Sequence, residues 1–220
     1  MSRHAAAALC VAVAALALAA TAAAINLNGT PGDDTLLGTQ RADRISGGAG
    51  RDAIRGRDGR DRLFGGPDAD EVRGGAQNDV ITGGLGADTL SGARGADRMF
   101  GQDDDDAMTG GVGDDREFGG DGDDHIVGEA GDDRLKGRLG DDYVGGGPGE
   151  DLIYGGEGND RLIGGTGEDI VRGGNGDDTF FVRDGSEDLV DCGEGVDTVT
   201  VDKREDGVFD CEIVRFPADS

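Results

Sequence analysis

An aspartate recurs every nine residues, at Asp34, Asp43, Asp52 and onward without insertion or deletion to Asp178, 17 in all. Each follows a glycine by five residues, from Gly29 to Gly173. Two residues after each aspartate stands a large apolar side chain, in 16 of the 17 blocks; Glu117 is the exception. Carboxylates at a fixed period are hard oxygen donors, and with turn carbonyls they make a set suited to a hard cation. Thiols and imidazoles, which would favour zinc or copper, are nearly absent, with Cys 3 and His 2 in the chain.

The blocks read G-G-x-G-x-D-x-U-x, where U is apolar, and are cleanest in GGEGNDRLI from Gly155, GGTGEDIVR from Gly164 and GGNGDDTFF from Gly173. Glycines at positions one, two and four permit positive φ, so the first six residues predict a tight turn. The last three predict a minimal strand with its middle residue pointing inward. Such a unit cannot bury one apolar side chain alone and must stack on copies of itself. The expected fold is all-β, a parallel β-roll (β-solenoid) of about eight 18-residue coils, roughly 40 Å long at ~4.8 Å per coil. Successive blocks then alternate sides, placing Asp34, Asp52, Asp70 and their successors on one edge and Asp43, Asp61, Asp79 and theirs on the other. Stacked carboxylates ~5 Å apart repel by roughly 3 kcal/mol per pair at an effective dielectric near 20. A cation between turns relieves that repulsion, and the oxygen-rich set selects Ca²⁺, which makes calcium binding and folding one equilibrium.

The repeat resembles the hemolysin-type calcium-binding repeat, or RTX repeat, over Gly29 to Phe181. The resemblance implies ions held by the carbonyls of positions one and three and the aspartate of one block, with the carbonyls of positions two and four and the aspartate two blocks later. Carried over, Gly128, Ala130 and Asp133 face Gly147, Gly149 and Asp151, and Gly146, Pro148 and Asp151 face Gly165, Gly167 and Asp169. On the other edge Gly137, Leu139 and Asp142 face Gly156, Gly158 and Asp160, while Gly155, Glu157 and Asp160 face Gly174, Gly176 and Asp178. Further half-sites are Gly110, Val112 and Asp115, and Gly119, Asp121 and Asp124, the latter opposite Gly140 and Asp142. Arg41, Asp68, Gln77 and Asp104 replace glycine at position four in the earlier blocks, which predicts weaker sites from Arg41 to Asp79. The first pair, Gly29, Pro31 and Asp34 opposite Gly48, Gly50 and Asp52, retains its pattern.

Met1 to Ala24 combines a short basic start, an Ala/Leu/Val stretch and Ala22-Ala23-Ala24, and reads as a secretory signal peptide. The expected product is secreted, with no membrane span after that segment. Residues 25–181 form the roll and 182–220 a C-terminal capping segment, in which Cys192 and Cys211 are expected to pair as a disulfide, as exported cysteine pairs do. A formal net charge of −26 argues against nucleic acid as a partner. Neither H-E-x-x-H nor G-x-S-x-G occurs, and the segments above leave no room for a catalytic domain. The reading is therefore a calcium-binding protein rather than an enzyme, with a cell-surface adhesin or matrix component as the alternative. Arg44, Arg62, Arg98, Arg116, Arg134 and Arg161 share the outward position seven; they offset acidic charge or offer a basic ladder to a partner. His125, at the same position, is expected to be solvated. Glu117 at an inward position is costly unless paired or protonated; it predicts a local bulge or rotated strand from decay of the repeat, with an extra cation or ligand site as the alternative.

Overall fold

A computed structural model of the chain describes residues 23–201 and 207–216. The expected signal peptide lies outside these except for Ala23 and Ala24. Among the described residues, 22 strands, β1 to β22 in chain order, alternate between two parallel sheets. Odd-numbered strands make one 11-stranded sheet and even-numbered strands the other. This is the expected β-solenoid, with neighbours 18 residues apart, as in Arg134 beside Leu152 and Tyr143 beside Arg161.

The stack is longer than the seventeen blocks predict. One added strand, β1 (Asn26–Asn28), precedes the first glycine of the repeat and pairs with β3 (Arg44–Ser46). At the other end the expected cap does not form as a separate element. Instead β19 (Leu189–Glu194), β20 (Thr198–Val201), β21 (Gly207–Phe209) and β22 (Ile213–Arg215) continue the two sheets in order. Residues 192–200, CGEGVDTVT, are one more block with Cys192 in place of the first glycine. The segment before it carries one extra residue, so Ile170 pairs with Leu189 at a spacing of 19, which disguises the repeat.

Strands are also longer than expected. From β4 (Ala53–Asp58) to β17 (Ile170–Asn175) each has six residues, where three were predicted. Positions two and three rejoin the ladder, as Gly120 beside Arg138 and Asp121 beside Leu139, and only the glycine at position one drops out. The turn proper is then positions four to six. The core is a file of position-eight side chains from each sheet, from Leu36 and Ile45 to Val171 and Phe180, extended by Val190 and Val199. Val182, Cys192 and Val201 are buried beside them.

Glycine at position one is required by close approach rather than by positive φ. A Cβ on Gly155 would collide with Asp160 Oδ2 and come within 2.9 Å of the Gly173 carbonyl oxygen in the next coil. Positions two and four are the left-handed ones, with φ 141° at Gly156 and 126° at Gly158, yet Arg57, Ala93, Gln102, Glu129 and Arg138 hold position two at 72–104°. Those side chains accept backbone strain of order 1–2 kcal/mol each.

Cys192 and Cys211 are joined by a disulfide, Cα–Cα 5.2 Å, tying β19 to the segment before β22. Closing a loop of this separation, 19 residues, stabilises by about 3 kcal/mol. Cys211→Ser is expected to remove roughly that much protection from the last coils while leaving amides of the central coils unchanged; hydrogen exchange residue by residue checks both.

Candidate metal centre

Every position-six aspartate is buried, none more than 6% exposed. Its Oδ1 accepts the backbone N–H of the aspartate one coil earlier: Asp97 donates to Asp115 at 2.7 Å, Asp115 to Asp133 at 2.7 Å and Asp142 to Asp160 at 2.9 Å. Two continuous ladders result, as the nine-residue period predicts. Asp188 and Asp197, missed in the sequence, extend them by accepting from Asp169 and Asp178.

The second oxygen is the unusual one. Among the described residues, Oδ2 is buried without a hydrogen-bond partner in 15 aspartates, from Asp52 to Asp197. It lies over the glycine five residues back, at the point where the next coil's position-one carbonyl also arrives. Asp70 Oδ2 and the Gly83 carbonyl meet at Gly65 in this way, and Asp160 Oδ2 and the Gly173 carbonyl at Gly155. Two acceptors share a dry gap with no donor between them, and an unpartnered buried carboxylate is strongly unfavourable.

Strand alternation decides which carbonyls join them. Position-two and position-four carbonyls point toward the later coil, since those of Gly147 and Gly149 crowd Gly165 and Gly167. Position-one and position-three carbonyls point toward the earlier coil. The Gly146 carbonyl faces Gly128, and the Pro148 carbonyl accepts the Gly131 N–H at 3.0 Å, which leaves it a second lone pair. The gap between residues 146–151 and 164–169 is therefore lined by carbonyls of Gly147, Gly149, Gly164 and Thr166, with Asp151 Oδ2 and Asp169 Oδ1. This reverses the direction of the expected sets. Gly128 and Ala130 face the coil before them and Gly147 and Gly149 the coil after, so they do not share a gap. The same alternation re-pairs the sets that begin at Gly29, Gly110, Gly119, Gly137, Gly146 and Gly155. It also brings in the carbonyls of Glu129 and Gly131, which the sequence reading omitted.

These donors fit a hard divalent ion: all are oxygen, about six converge per gap, and two carboxylates balance its charge. Among the described residues no three His, Cys, Asp or Glu side chains form a metal-binding group. The gaps do not need one, because most of their donors are backbone carbonyls.

The first turns depart from this. Thr30 donates its N–H and its hydroxyl, at 2.9 Å, to Asp34 Oδ2, and Thr39 does the same for Asp43. The carboxylates are satisfied locally, and neither Thr30, Gly32, Thr39 nor Arg41 adopts positive φ. The expected first site at Gly29, Pro31 and Asp34 is thus the poorest fit. By contrast Asp68, Gln77 and Asp104 at position four take φ of 74–78°, and the neighbouring Asp70, Asp79 and Asp106 keep their open Oδ2. Within the region expected to be weaker, Arg41 to Asp79, the local satisfaction of a carboxylate is seen at Asp43, whereas Asp52, Asp61, Asp70 and Asp79 keep an unpartnered Oδ2. Glu117 produces no bulge: it is fully buried and in register between Met99 and Leu135.

Burial raises the carboxyl pKa along both ladders, against the lowering effect of the backbone hydrogen bond, and neighbouring aspartates add to it. Asp61 and Asp160 rise to about 6, Asp88 and Asp133 to about 7, and Asp79 and Asp142 to about 8. Glu117 is pushed well above its ordinary value, chiefly by burial and then by Asp115 and Asp133.

A parallel β-roll with carbonyl- and carboxylate-lined gaps between its turns defines a cation-binding solenoid. The model of the RTX calcium-binding nonapeptide repeat matches residues 28–63, 55–90, 64–99, 82–117, 118–153 and 154–186, and the chain belongs to that family. No curated protein matches the chain. It is a repeat protein of calcium-binding type.

Without calcium, groups whose folded pKa lies above the unfolded value stabilise the fold below pH ~4, and that stability is lost as pH rises through the folded values near 6 to 8. In chelator the far-UV β signal is therefore expected to be stronger at pH 5 than at pH 8. A stronger signal at pH 8 would mean that something other than protons or cations satisfies the ladders.

Proposed function

We propose that the protein is exported through the general secretory route, folds where calcium is plentiful, and acts as a binding protein rather than an enzyme. The observation behind this reading is the repeated meeting of an unpartnered Oδ2 with the next coil's carbonyl, which a Ca²⁺ ion satisfies. Ions would sit in gaps such as that between residues 146–151 and 164–169, shared by the six oxygens described above. Export unfolded suits a chain whose carboxylate ladders oppose folding until metal arrives. No helix among the described residues is long and apolar enough to cross a membrane. A far-UV CD titration of the chain from Ile25 is expected to show a cooperative gain of β signal with Ca²⁺ and little with the same Mg²⁺. A chain still disordered at about ten millimolar calcium, roughly ten times the weak extracellular end of Ca²⁺ affinities, would sink the reading.

One observation favours a second role, as a matrix or cell-surface component. Arg44, Arg62, Arg98, Arg116 and Arg134 stand in the odd-numbered sheet, in register with one another apart from Val80. Arg161, expected in the same group, falls on the opposite sheet. The same outer face carries stacked Phe100 and Phe118, centroids 5.2 Å apart, and the ion pair of Arg55 with Glu71, at 3.8 Å, lies on the other sheet. A basic, aromatic face on an acidic protein suits a carboxylated or sulfated polysaccharide. The calcium-loaded protein is expected to be retained on such a polymer at low salt, and Arg98→Ala with Arg116→Ala to elute markedly earlier. Equal elution would remove this second role.

A further inference from the structure

Glu117 is the one residue that breaks the apolar file, and the fold does nothing to expel it. Its exposure is 0%, and neither carboxylate oxygen has a hydrogen-bond partner. The side chain turns from the core toward the preceding turn. At Gly110 the Cβ point is bounded by Glu117 Oε1 and Asp115 Oδ2, with the Gly128 carbonyl oxygen at 2.8 Å. At Gly101 and Gly119 the same point meets only the block's own aspartate and the next coil's carbonyl. Glu117 therefore brings a further carboxyl oxygen to a gap that already holds the aspartate oxygen and next-coil carbonyl seen at neighbouring turns.

We infer that Glu117 is a cation ligand, and that the gap between residues 110–115 and 128–133 is a site of higher charge that takes Ca²⁺, or a lanthanide in its place, more tightly than the rest of the stack. The gap contains Asp115 Oδ2, Glu117 Oε1 and the Gly128 carbonyl together, two carboxyl groups and a carbonyl, while Asp133 Oδ1 accepts the Asp115 N–H at its edge and is not a third side chain of a cluster. Adding a carboxylate to an oxygen site raises its Ca²⁺ affinity. It also accounts for Glu117 itself: a buried carboxylate with both oxygens unpartnered destabilises the fold unless a proton or a cation reaches it. The approach is from the core side, a direction that no other block offers, because all the others carry an apolar side chain there. This inference rests on the calcium reading above.

The test compares the wild-type protein with Glu117→Leu, which restores the apolar residue, and Glu117→Gln, which keeps the shape. Calcium binding is followed by calorimetry, and Tb³⁺ binding by luminescence with calcium as competitor. The wild type is expected to show one class of site about tenfold or more tighter than the remainder. Both variants are expected to lose that class and keep the weaker sites. A tight class unchanged in both variants overturns the inference, whatever their stability in chelator, and leaves Glu117 a destabilising core residue only. If the wild type binds no calcium at all, the underlying reading fails instead, so the two failures are distinguishable. Should the leucine variant not fold, the glutamine variant alone decides by the same loss or retention.

Discussion

Beyond the first two turns, nearly every turn of the roll sets a carboxylate on the boundary with its neighbours and satisfies only half of it. Oδ1 takes the backbone N–H of the coil before, as Asp133 does from Asp115, while Oδ2 meets the carbonyl of the coil after. The hydrogen bond fixes the side chain's position, so the unsatisfied oxygen cannot swing out to water. Burial then raises the carboxyl pKa values, which expresses the same cost in protons. A proton or a cation can relieve it. A cation does so for two coils at once, which couples neighbouring turns and makes the stack cooperative.

The remaining features follow from keeping that boundary narrow. Glycine at position one has no side chain because the aspartate oxygen and the next carbonyl occupy the space a Cβ would need. Positions two and four accept other residues in the left-handed region, as Arg138 and Gln77 show at φ 104° and 74°, although a Cβ on a glycine there also meets the carbonyl of the coil before, as Gly156 meets that of Arg138. The core is narrow, essentially one side chain per block, so packing alone holds little. Stability is therefore concentrated in the gaps, and the ends are treated differently. Thr30 and Thr39 satisfy the first carboxylates without a cation, and the Cys192–Cys211 disulfide fastens the last coils.

Much of this was legible in the sequence. The nine-residue period dictated the coil, the parallel pairing and the two aspartate ladders, because a repeat without insertions admits one register. The inward file was legible in the apolar residue of nearly every block, and the disulfide in the pairing expected of Cys192 and Cys211. The last coils were hidden by one inserted residue and by Cys192 standing where glycine is expected. The threonine turns were hidden because threonine looks like simple loss of glycine until its hydroxyl is seen to reach Asp34.

Sequence by itself determined composition, period and donor type: aspartates, turn carbonyls and a core of single residues. Tertiary structure decided which way each carbonyl points, and hence which coils share a gap, since alternation along a strand sends odd and even carbonyls to opposite neighbours. It also decided the place of Glu117. In the sequence it is an acidic residue in an apolar column; in the fold it shares one gap with Asp115 and the Gly128 carbonyl, because stacking brings together oxygens that lie up to 18 residues apart in the chain.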